Sequence, residues 1–208
     1  MRSSDGYVHN VFLSYRRFGE WPEWVAETFL PIFTHWLGEE IGTDPGIFFD
    51  VGGVDAGCTW PSHLGDALAR SRIIVPLWSR LYFNSPWCLA ELAHMCAREE
   101  LCGLRTKARP EGLIVPALIH DGEALPSFAR GIQAALLQDC ANVRMTRRSP
   151  SAEKLELLIK RWVPSIAQAI HHAPPFDSAW RDLAIDKFVE LFQTTEPRQL
   201  QPPLVKSS

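Results

Sequence analysis

The chain lacks several features that would assign a protein to a class at once. Its 208 residues contain no apolar run of the roughly 18 to 20 residues that cross a bilayer, and the N-terminal stretch MRSSDGYVHN has no apolar signal core. Lysine and arginine total 21 against 24 aspartates and glutamates, so the net charge of −3 favours neither nucleic acid nor an anionic membrane as a partner. These absences predict a cytoplasmic protein that contacts no membrane and binds no nucleic acid directly.

Signatures of metal and nucleotide binding are also missing. The five cysteines form no CxxC pair and no Cys/His cluster with zinc-ligand spacing, so we predict no metal site and reduced, mostly buried thiols. Cys88 falls in the first turn of a predicted helix, where a thiolate is favoured. Its neighbours offer no general base, however, and a buried structural role is the better interpretation. No Walker or GxGxxG loop occurs, and no acidic pair of the receiver type follows the first predicted strand.

Apolar strand-like runs alternate with amphipathic segments of helical length along most of the chain. This alternation is typical of a parallel sheet with helices on both faces. The predicted strands are residues 9–14, 47–50, 72–79, 113–119 and the segment ALLQD. RIIVPLWS (72–79) is apolar enough to be central, whereas Pro116 indicates a bulge or an edge position for 113–119. We therefore predict an α/β fold, a flavodoxin-like three-layer sandwich with a central parallel five-stranded sheet.

The spacing of apolar residues also predicts three long helices. The first covers about residues 24–38 and contains Pro31, which should kink it. The second covers about residues 85–102, with Pro86 in the first turn, where its missing N–H costs nothing. The third opens near Ser151.

The C-terminal residues differ in character from the rest. We predict a principal domain at residues 1–173 and an appended segment at 174–208, because a PPF break is followed by one further apolar stripe and a Pro/Gln-rich end. The stripe consists of Trp180, Leu183, Ala184, Phe188, Leu191 and Phe192. Two interpretations are open: the stripe docks on the domain, which we favour slightly, or it has a function of its own, as a helix that binds a partner or as the start of a link to a further segment.

Residues suited to chemistry follow three of the predicted strands. Ligands of a doubly wound sheet bind beyond the carboxyl ends of its strands. At those ends lie residues 14–17, then Asp50 with a glycine-rich loop, and then residues 79–87. Together they supply two guanidinium groups suited to phosphate, a flexible loop and several aromatic rings. The rings are those of Phe18, Trp60, Tyr82 and Trp87.

Glu91 follows Trp87 by about one turn of the predicted helix. At about 100° per residue, Trp87, His94 and Arg98 fall on the same side as Glu91. The predicted core face, centred about 120° away, consists of Cys88, Leu89, Leu92 and Cys96. Glu91 is then either a solvated glutamate balanced by His94 or Arg98, or a functional carboxylate beside the ligand edge. Taken alone, the pattern favours the solvated glutamate, although a bulky Trp87 on the same stripe weakens that interpretation.

Three stretches resemble a known family. VFLSYRR, IFFDVGGVDAG and LARSRIIVPLWSRLYFNSPWCLAEL, with the spacing among them, resemble the signature stretches of Toll/interleukin-1 receptor (TIR) domains, in a style closer to bacterial members than to animal adaptors. The resemblance covers about residues 7–172. Asn10 stands where an acidic residue is frequent, and Arg161 with Trp162 stands where a Phe-Trp pair is often seen. Neither departure touches the chemistry that the resemblance implies.

The resemblance implies an enzyme. Catalytic TIR domains cleave NAD+ between nicotinamide and ribose, and the match makes Glu91 the catalytic residue. The loop that begins at Asp50 would be the mobile, gating loop. NAD+ would be a substrate, with no cofactor required, and the products would be nicotinamide and either ADP-ribose or a cyclic ADP-ribose. The implied substrate-binding residues are Ser14, Tyr15, Arg16, Arg17, Asp50, Gly57, Trp60 and Trp87.

Other TIR domains are non-catalytic adaptors that only assemble with further TIR domains, and this is the alternative function. The presence of Glu91 together with Trp87 and two arginines favours the enzyme. The resemblance also implies self-association that completes the site, with a sensor or effector protein as a further partner. The biological role that it suggests is antiphage defence, and an interaction with host immune TIR domains is the competing role.

Overall fold

The computed structural model describes residues 6–50, 60–146 and 148–194, apart from the side chains of residues 60–62, 124 and 191–194. The strands are β1 (His9–Tyr15), β2 (Ile47–Phe48), β3 (Ser71–Trp78), β4 (Ala117–Leu118) and β5 (Ala135–Leu136). The helices are α1 (Trp21–Trp24), α2 (Leu30–Ile41), α3 (Trp60–Ala69), α4 (Arg80–Phe83), α5 (Pro86–Leu101), α6 (Ser127–Arg130), α7 (Pro150–His172) and α8 (Trp180–Thr194). A 3-10 turn, Gly122–Ala124, lies between β4 and α6.

The five strands form one parallel sheet in the order β2-β1-β3-β4-β5. β3 is central, and each of its residues except Arg72 is buried, as its apolar sequence predicts. In the sheet, β2 lies on one side of β1 and β3 lies on the other. The connections from β1 to β2 and from β2 to β3 therefore run in opposite directions across the sheet, and right-handed crossovers place α2 and α3 on its opposite faces. The predicted α/β sandwich is therefore confirmed.

Two groups of helices form the outer layers. α2 packs against α7, where the rings of Phe33 and Trp162 stack with centroids 5.8 Å apart. α3 and α5 pack against α8. Between these layers, the buried side chains of β1 and β3 form the centre of the core, among them Phe12, Ile74 and Trp78. None of the described helices combines the length and the apolar character of a membrane span.

The irregularity predicted at Pro31 takes the form of a π-helical turn, Val25–Phe29, between α1 and α2. The N–H of Leu30 donates to the carbonyl of Val25, five residues back. Proline has no N–H to continue the α-helical pattern, and a π-helical turn just before it is one way for a helix to continue past the gap. The result is a helical stretch from Trp21 to Ile41 with a short change of pitch.

Pro116 interrupts its strand without moving it to an edge. Ile114 forms an isolated bridge with Ile74, and regular pairing resumes only in β4. The carbonyl of Pro116 still accepts a hydrogen bond from the N–H of Ala135, at 2.9 Å. Because β4 lies between β3 and β5, the edge alternative is wrong. The bulge alternative is wrong as well, since Ile114 pairs with Ile74 and Ala117 with Leu77 in one register and no extra residue is inserted around Pro116.

The third predicted helix begins slightly earlier than expected. α7 is capped by Ser149, whose hydroxyl accepts a hydrogen bond from the N–H of Ala152, and Pro150 occupies the first turn. Serines lie on both sides of Pro150, and the structure uses Ser149, not Ser151, as the cap.

α8 docks on the domain along the described part of its apolar stripe. Trp180, Ala184 and Phe188 are buried, and Leu183 is partly buried against Trp180 and Ala184. The favoured docking interpretation therefore agrees with the structure for these residues. The side chains of Leu191 and Phe192 lie outside the described residues, and the division of the chain at residue 173 stays a prediction.

Candidate active site

A cavity of about 450 Å³ opens at the carboxyl end of β1, between that strand and α5. This volume includes open solvent at the mouth of the cavity. The lining residues are Phe12, Leu13, Ser14, Tyr15, Arg16, Arg17, Asp50, Leu64, Ser85, Trp87, Cys88 and Glu91. The structure thus brings together seven of the residues that the sequence analysis singled out, and the edge chosen by the strand-end argument is where they meet.

α5 begins beside this edge of the sheet. Ser85 is the N-cap, and its hydroxyl accepts a hydrogen bond from the N–H of Cys88, at 3.4 Å. Pro86 follows in the first turn, as predicted. This geometry directs Trp87 and Glu91, one turn apart, toward the end of β1, where both line the cavity.

Glu91 is buried, with 7% of its surface exposed. The hydroxyl of Ser14 donates a hydrogen bond to Oε2 of Glu91 at 2.5 Å. Burial raises the pKa of Glu91 from 4.5 to about 7, against the lowering effects of the Ser14 hydrogen bond and the charge of Arg17. The interpretation of Glu91 as a solvated surface glutamate is therefore wrong, because the side chain is buried. A carboxyl group with a raised pKa in a cavity is a candidate for a functional role.

Tyr82 continues this hydrogen-bond chain behind the cavity. Its hydroxyl lies 2.9 Å from the hydroxyl of Ser14 and is fully buried. The Tyr82 hydroxyl has two acceptors within reach, Oγ of Ser14 and, at 3.4 Å, the carbonyl oxygen of Cys88. Because Ser14 uses its only proton for Glu91, Tyr82 is the donor in the shorter contact, to Ser14. Burial holds the pKa of the Tyr82 phenol well above its usual value, so this donor keeps its proton. The one-turn helix α4, capped by Ser79, places Tyr82 there.

The two arginines of the site differ in their partners. Arg17 forms an ion pair with Asp50, with Nη2 and Oδ2 2.5 Å apart, and also donates to the carbonyl oxygen of Asp50. Arg16 donates to the neutral hydroxyl of Ser85 at 3.3 Å. No acidic partner of Arg16 occurs among residues 6–50, 60–146 and 148–194. Arg16 is therefore the better placed of the two to bind an anionic group of a ligand.

Other predicted site residues have different positions. Tyr15 stacks on Phe49 and lines the cavity, whereas Phe18 is 57% exposed and does not line it. Gly57 lies outside the described residues, as does the side chain of Trp60. Leu64 lines the cavity but was not singled out from the sequence, because an apolar helix residue carries no signal of its own. Ser85 also lines it and was included there only as part of the segment 79–87.

Cys88 is buried and has no catalytic character. Burial raises the pKa of its thiol strongly, so the thiolate form is disfavoured. The structural interpretation of this residue is therefore the better one. The prediction of mostly buried cysteines is only partly correct, since Cys140 is also buried but Cys96 is exposed. Within the described residues, no three His, Cys, Asp or Glu side chains lie together as metal ligands would.

The comparison with protein families identifies the chain. The family profile described as TIR domain matches residues 11–158, which is more than half of the 208 residues. The chain belongs to the TIR domain family. No curated protein matches the sequence. In this TIR domain the cavity lies within the matched segment, and α8 lies beyond it.

The burial predicted for the faces of α5 in this TIR domain needs correction. His94 and Arg98, placed on a polar stripe with Glu91, are fully buried, while Cys96, placed in the core, is exposed and Leu89 is only partly buried. The reason is that α8 covers the polar stripe: the guanidinium of Arg98 lies 3.9 Å from the centroid of the Trp180 ring. Arg98 also donates to the carbonyl of Ser71 and to the hydroxyl of Tyr7.

Proposed function

We propose that this TIR domain is an NAD+ nucleosidase that cleaves the bond between nicotinamide and ribose, with Glu91 as the catalytic carboxylate. The observation that supports this most is the position of Glu91, which lies in the cavity and is held there by the hydroxyl of Ser14. The family includes both NAD+-cleaving and non-catalytic members, so the argument depends on the site.

A single carboxylate is chemically sufficient for this reaction. Ordinary glycosidases need a second carboxyl group as a general acid, because their leaving group departs as an alkoxide unless it is protonated. The nicotinamide ring of NAD+ carries a positive charge and departs neutral, so no general acid is required. What must be stabilised is the developing positive charge on the ribose, and an ionised, buried Glu91 is suited to that task.

The other lining residues fit the remaining parts of the substrate. The ring of Trp87 offers a face to the flat, cationic nicotinamide. Arg16 offers a guanidinium group to a phosphate oxygen. Capture of the ribosyl cation by water would give ADP-ribose, and capture by the adenine of the same molecule would give a cyclic ADP-ribose.

Catalysis is proposed to depend on self-association, as the resemblance to catalytic TIR domains suggests, with a sensor or effector protein as the trigger and antiphage defence as the role. A bacterial origin and a cytoplasmic location belong to the same proposal. A dilute monomer would then be inactive. The alternative is a non-catalytic module that only binds other TIR domains.

The test is an assay of nicotinamide release from NAD+ by concentrated protein, with and without a crowding agent. Replacement of the carboxylate in Glu91→Gln should lower the rate by about 100-fold or more, whereas Glu100→Gln, an exposed glutamate of the same helix, should leave it unchanged. An equal rate in Glu91→Gln would refute the role of Glu91. Absence of release under every assembling condition would support the adaptor alternative. Chromatography of the products separates hydrolysis from cyclisation.

A further inference from the structure

α8 contacts both helices that supply side chains to the cavity. It packs against α5, which carries Trp87 and Glu91, and against α3, which carries Leu64. The matched TIR segment ends at residue 158, before α8 begins at Trp180. The contact is therefore a feature of this chain beyond the part that defines its family.

The contact nearest the cavity joins Phe188 to Trp87. The two ring centroids are 5.8 Å apart with an angle of 47° between the ring planes. Phe188 is fully buried, and Trp87 is 9% exposed. At this distance and angle the rings form a favourable aromatic pair. Trp87 therefore lines the cavity while it also packs against the C-terminal helix.

α8 is fixed at two further places along its length. Near its start, Trp180 packs against Tyr7 and under the guanidinium of Arg98. At its middle, fully buried Ala184 faces Gly65 of α3, where an added Cβ atom would lie 3.7 Å from the Cβ of Ala184, an ordinary van der Waals distance. With these contacts made, the helix has little freedom to slide or rotate, and the position of Phe188 against Trp87 is defined.

We infer that Phe188 is a positioning residue, which holds the Trp87 ring in the wall of the cavity and makes the C-terminal helix a determinant of ligand binding. The positioning of Trp87 stands on the contacts alone, whereas the identity of the ligand, a molecule with a flat cationic ring, rests on the proposed function. Phe188 touches no reacting atom, so its loss should weaken substrate binding more than it slows the bond cleavage.

The experiment compares Phe188→Leu with a matched variant of the same helix, Trp180→Phe. Both changes reduce a buried aromatic side chain, but Trp180 packs on Tyr7, Phe176 and Arg98. The protein is labelled with 5-fluorotryptophan, the Trp87 signal is assigned with Trp87→Phe, and its broadening by a soluble nitroxide is measured by ¹⁹F NMR. Broadening reports access of solvent to the ring and is less sensitive than a chemical shift to the simple loss of a neighbouring ring.

We expect greater broadening of the Trp87 signal in Phe188→Leu than in Trp180→Phe, which keeps an aromatic ring at the start of α8, at comparable thermal stability of the two variants. Unchanged broadening in Phe188→Leu, or an equal increase in both variants, would overturn the inference. In parallel, NAD+ is titrated into each variant in the Glu91→Gln background. Phe188→Leu should weaken binding by about 2- to 10-fold. Increased broadening with no NAD+ binding in any variant would uphold the position of Trp87 and reject the proposed function.

Discussion

The hydroxyl of Ser14 donates to Oε2 of Glu91 across 2.5 Å, joining two residues that are 77 positions apart in the sequence. The bond ties the carboxyl end of β1 to the second turn of α5. It also fixes one oxygen of a buried carboxyl group, so that the other oxygen is the one available to a ligand in the cavity.

Burial of the Glu91 carboxyl group makes the free energy of unfolding depend on pH. The folded state raises the pKa of this carboxyl group from 4.5 to about 7, so between those values the folded protein holds a proton that the unfolded chain has lost. Wild-type stability therefore falls as pH rises through this window. Glu91→Gln removes this titration. The free energy of unfolding of the variant minus that of the wild type should therefore be roughly 3 kcal/mol larger at pH 8 than at pH 4.5.

Urea denaturation of both proteins at the two pH values measures this difference. Glu100→Gln, which changes an exposed glutamate of the same helix, is the control and should follow the wild type. A constant difference between Glu91→Gln and wild type at both pH values would contradict the burial of an ionisable carboxyl group.

The rate of NAD+ cleavage should depend on the same proton. The proposed reaction needs the ionised carboxylate, so kcat/KM should rise with pH and reach a plateau above about 7, the pKa of Glu91 in the empty site. Bound nicotinamide brings a positive charge next to the carboxylate and lowers its pKa, so the profile of kcat should rise at lower pH than that of kcat/KM. Steady-state assays from pH 5 to 9 distinguish this order from a single common profile.

Removal of the Ser14 hydroxyl should raise the pKa of Glu91 further. The hydrogen bond from Ser14 is the first of the two effects that lower this pKa, and alanine leaves the ionised form with less stabilisation. Tyr82→Phe should act in the same direction but less, because Tyr82 donates to Ser14 and not to Glu91. Carbon-13 NMR titration of glutamate-labelled protein, with Glu91→Gln as the assignment control, measures both shifts. A lower pKa in Ser14→Ala would contradict the direction of the bond.

Two glycines should respond oppositely to alanine. A Cβ atom on Gly65 in α3 meets only ordinary contacts from α8, at 3.7 Å and beyond, so Gly65→Ala should stabilise the fold by about 0.5–1 kcal/mol through the reduced entropy of the unfolded chain. Gly42 ends α2 with a φ of 70°, a conformation in which Gly42→Ala should cost about 1–2 kcal/mol. Thermal denaturation of both variants provides the comparison, and a loss of stability in Gly65→Ala would mean that α8 packs more tightly than described.

The sequence allowed the sheet and one edge of the site to be predicted, and the reason lies in particular residues. The apolar run of β3 could only be central, and parallel strands bring their carboxyl ends to one edge, which placed Ser14, Arg16 and Asp50 near Trp87 and Glu91. These inferences use rules that hold within a sheet or a single helix.

What the sequence could not provide was the surroundings of α5. Helix phase grouped His94 and Arg98 with Glu91 correctly, but a polar stripe indicates solvent unless another element is known to cover it. The covering element, α8, lies some eighty residues later in the chain, and its aromatic residues bury the stripe. The Tyr82 hydrogen bond to Ser14 was missed as a contact for the same reason, since it joins elements 68 positions apart.

The contacts of the buried Arg98 guanidinium determine the shortest segment of this chain that could be transferred to another protein as a folded domain. Its Nη2 donates to the hydroxyl of Tyr7, before the matched segment, and Trp180 packs on it from beyond that segment. A chimera cut at residues 11 and 158 would carry a positive charge in an opened core, with its hydroxyl partner and its aromatic cover both left behind. The exchangeable unit is therefore longer than the family profile, and it reaches from Tyr7 at least to Phe188.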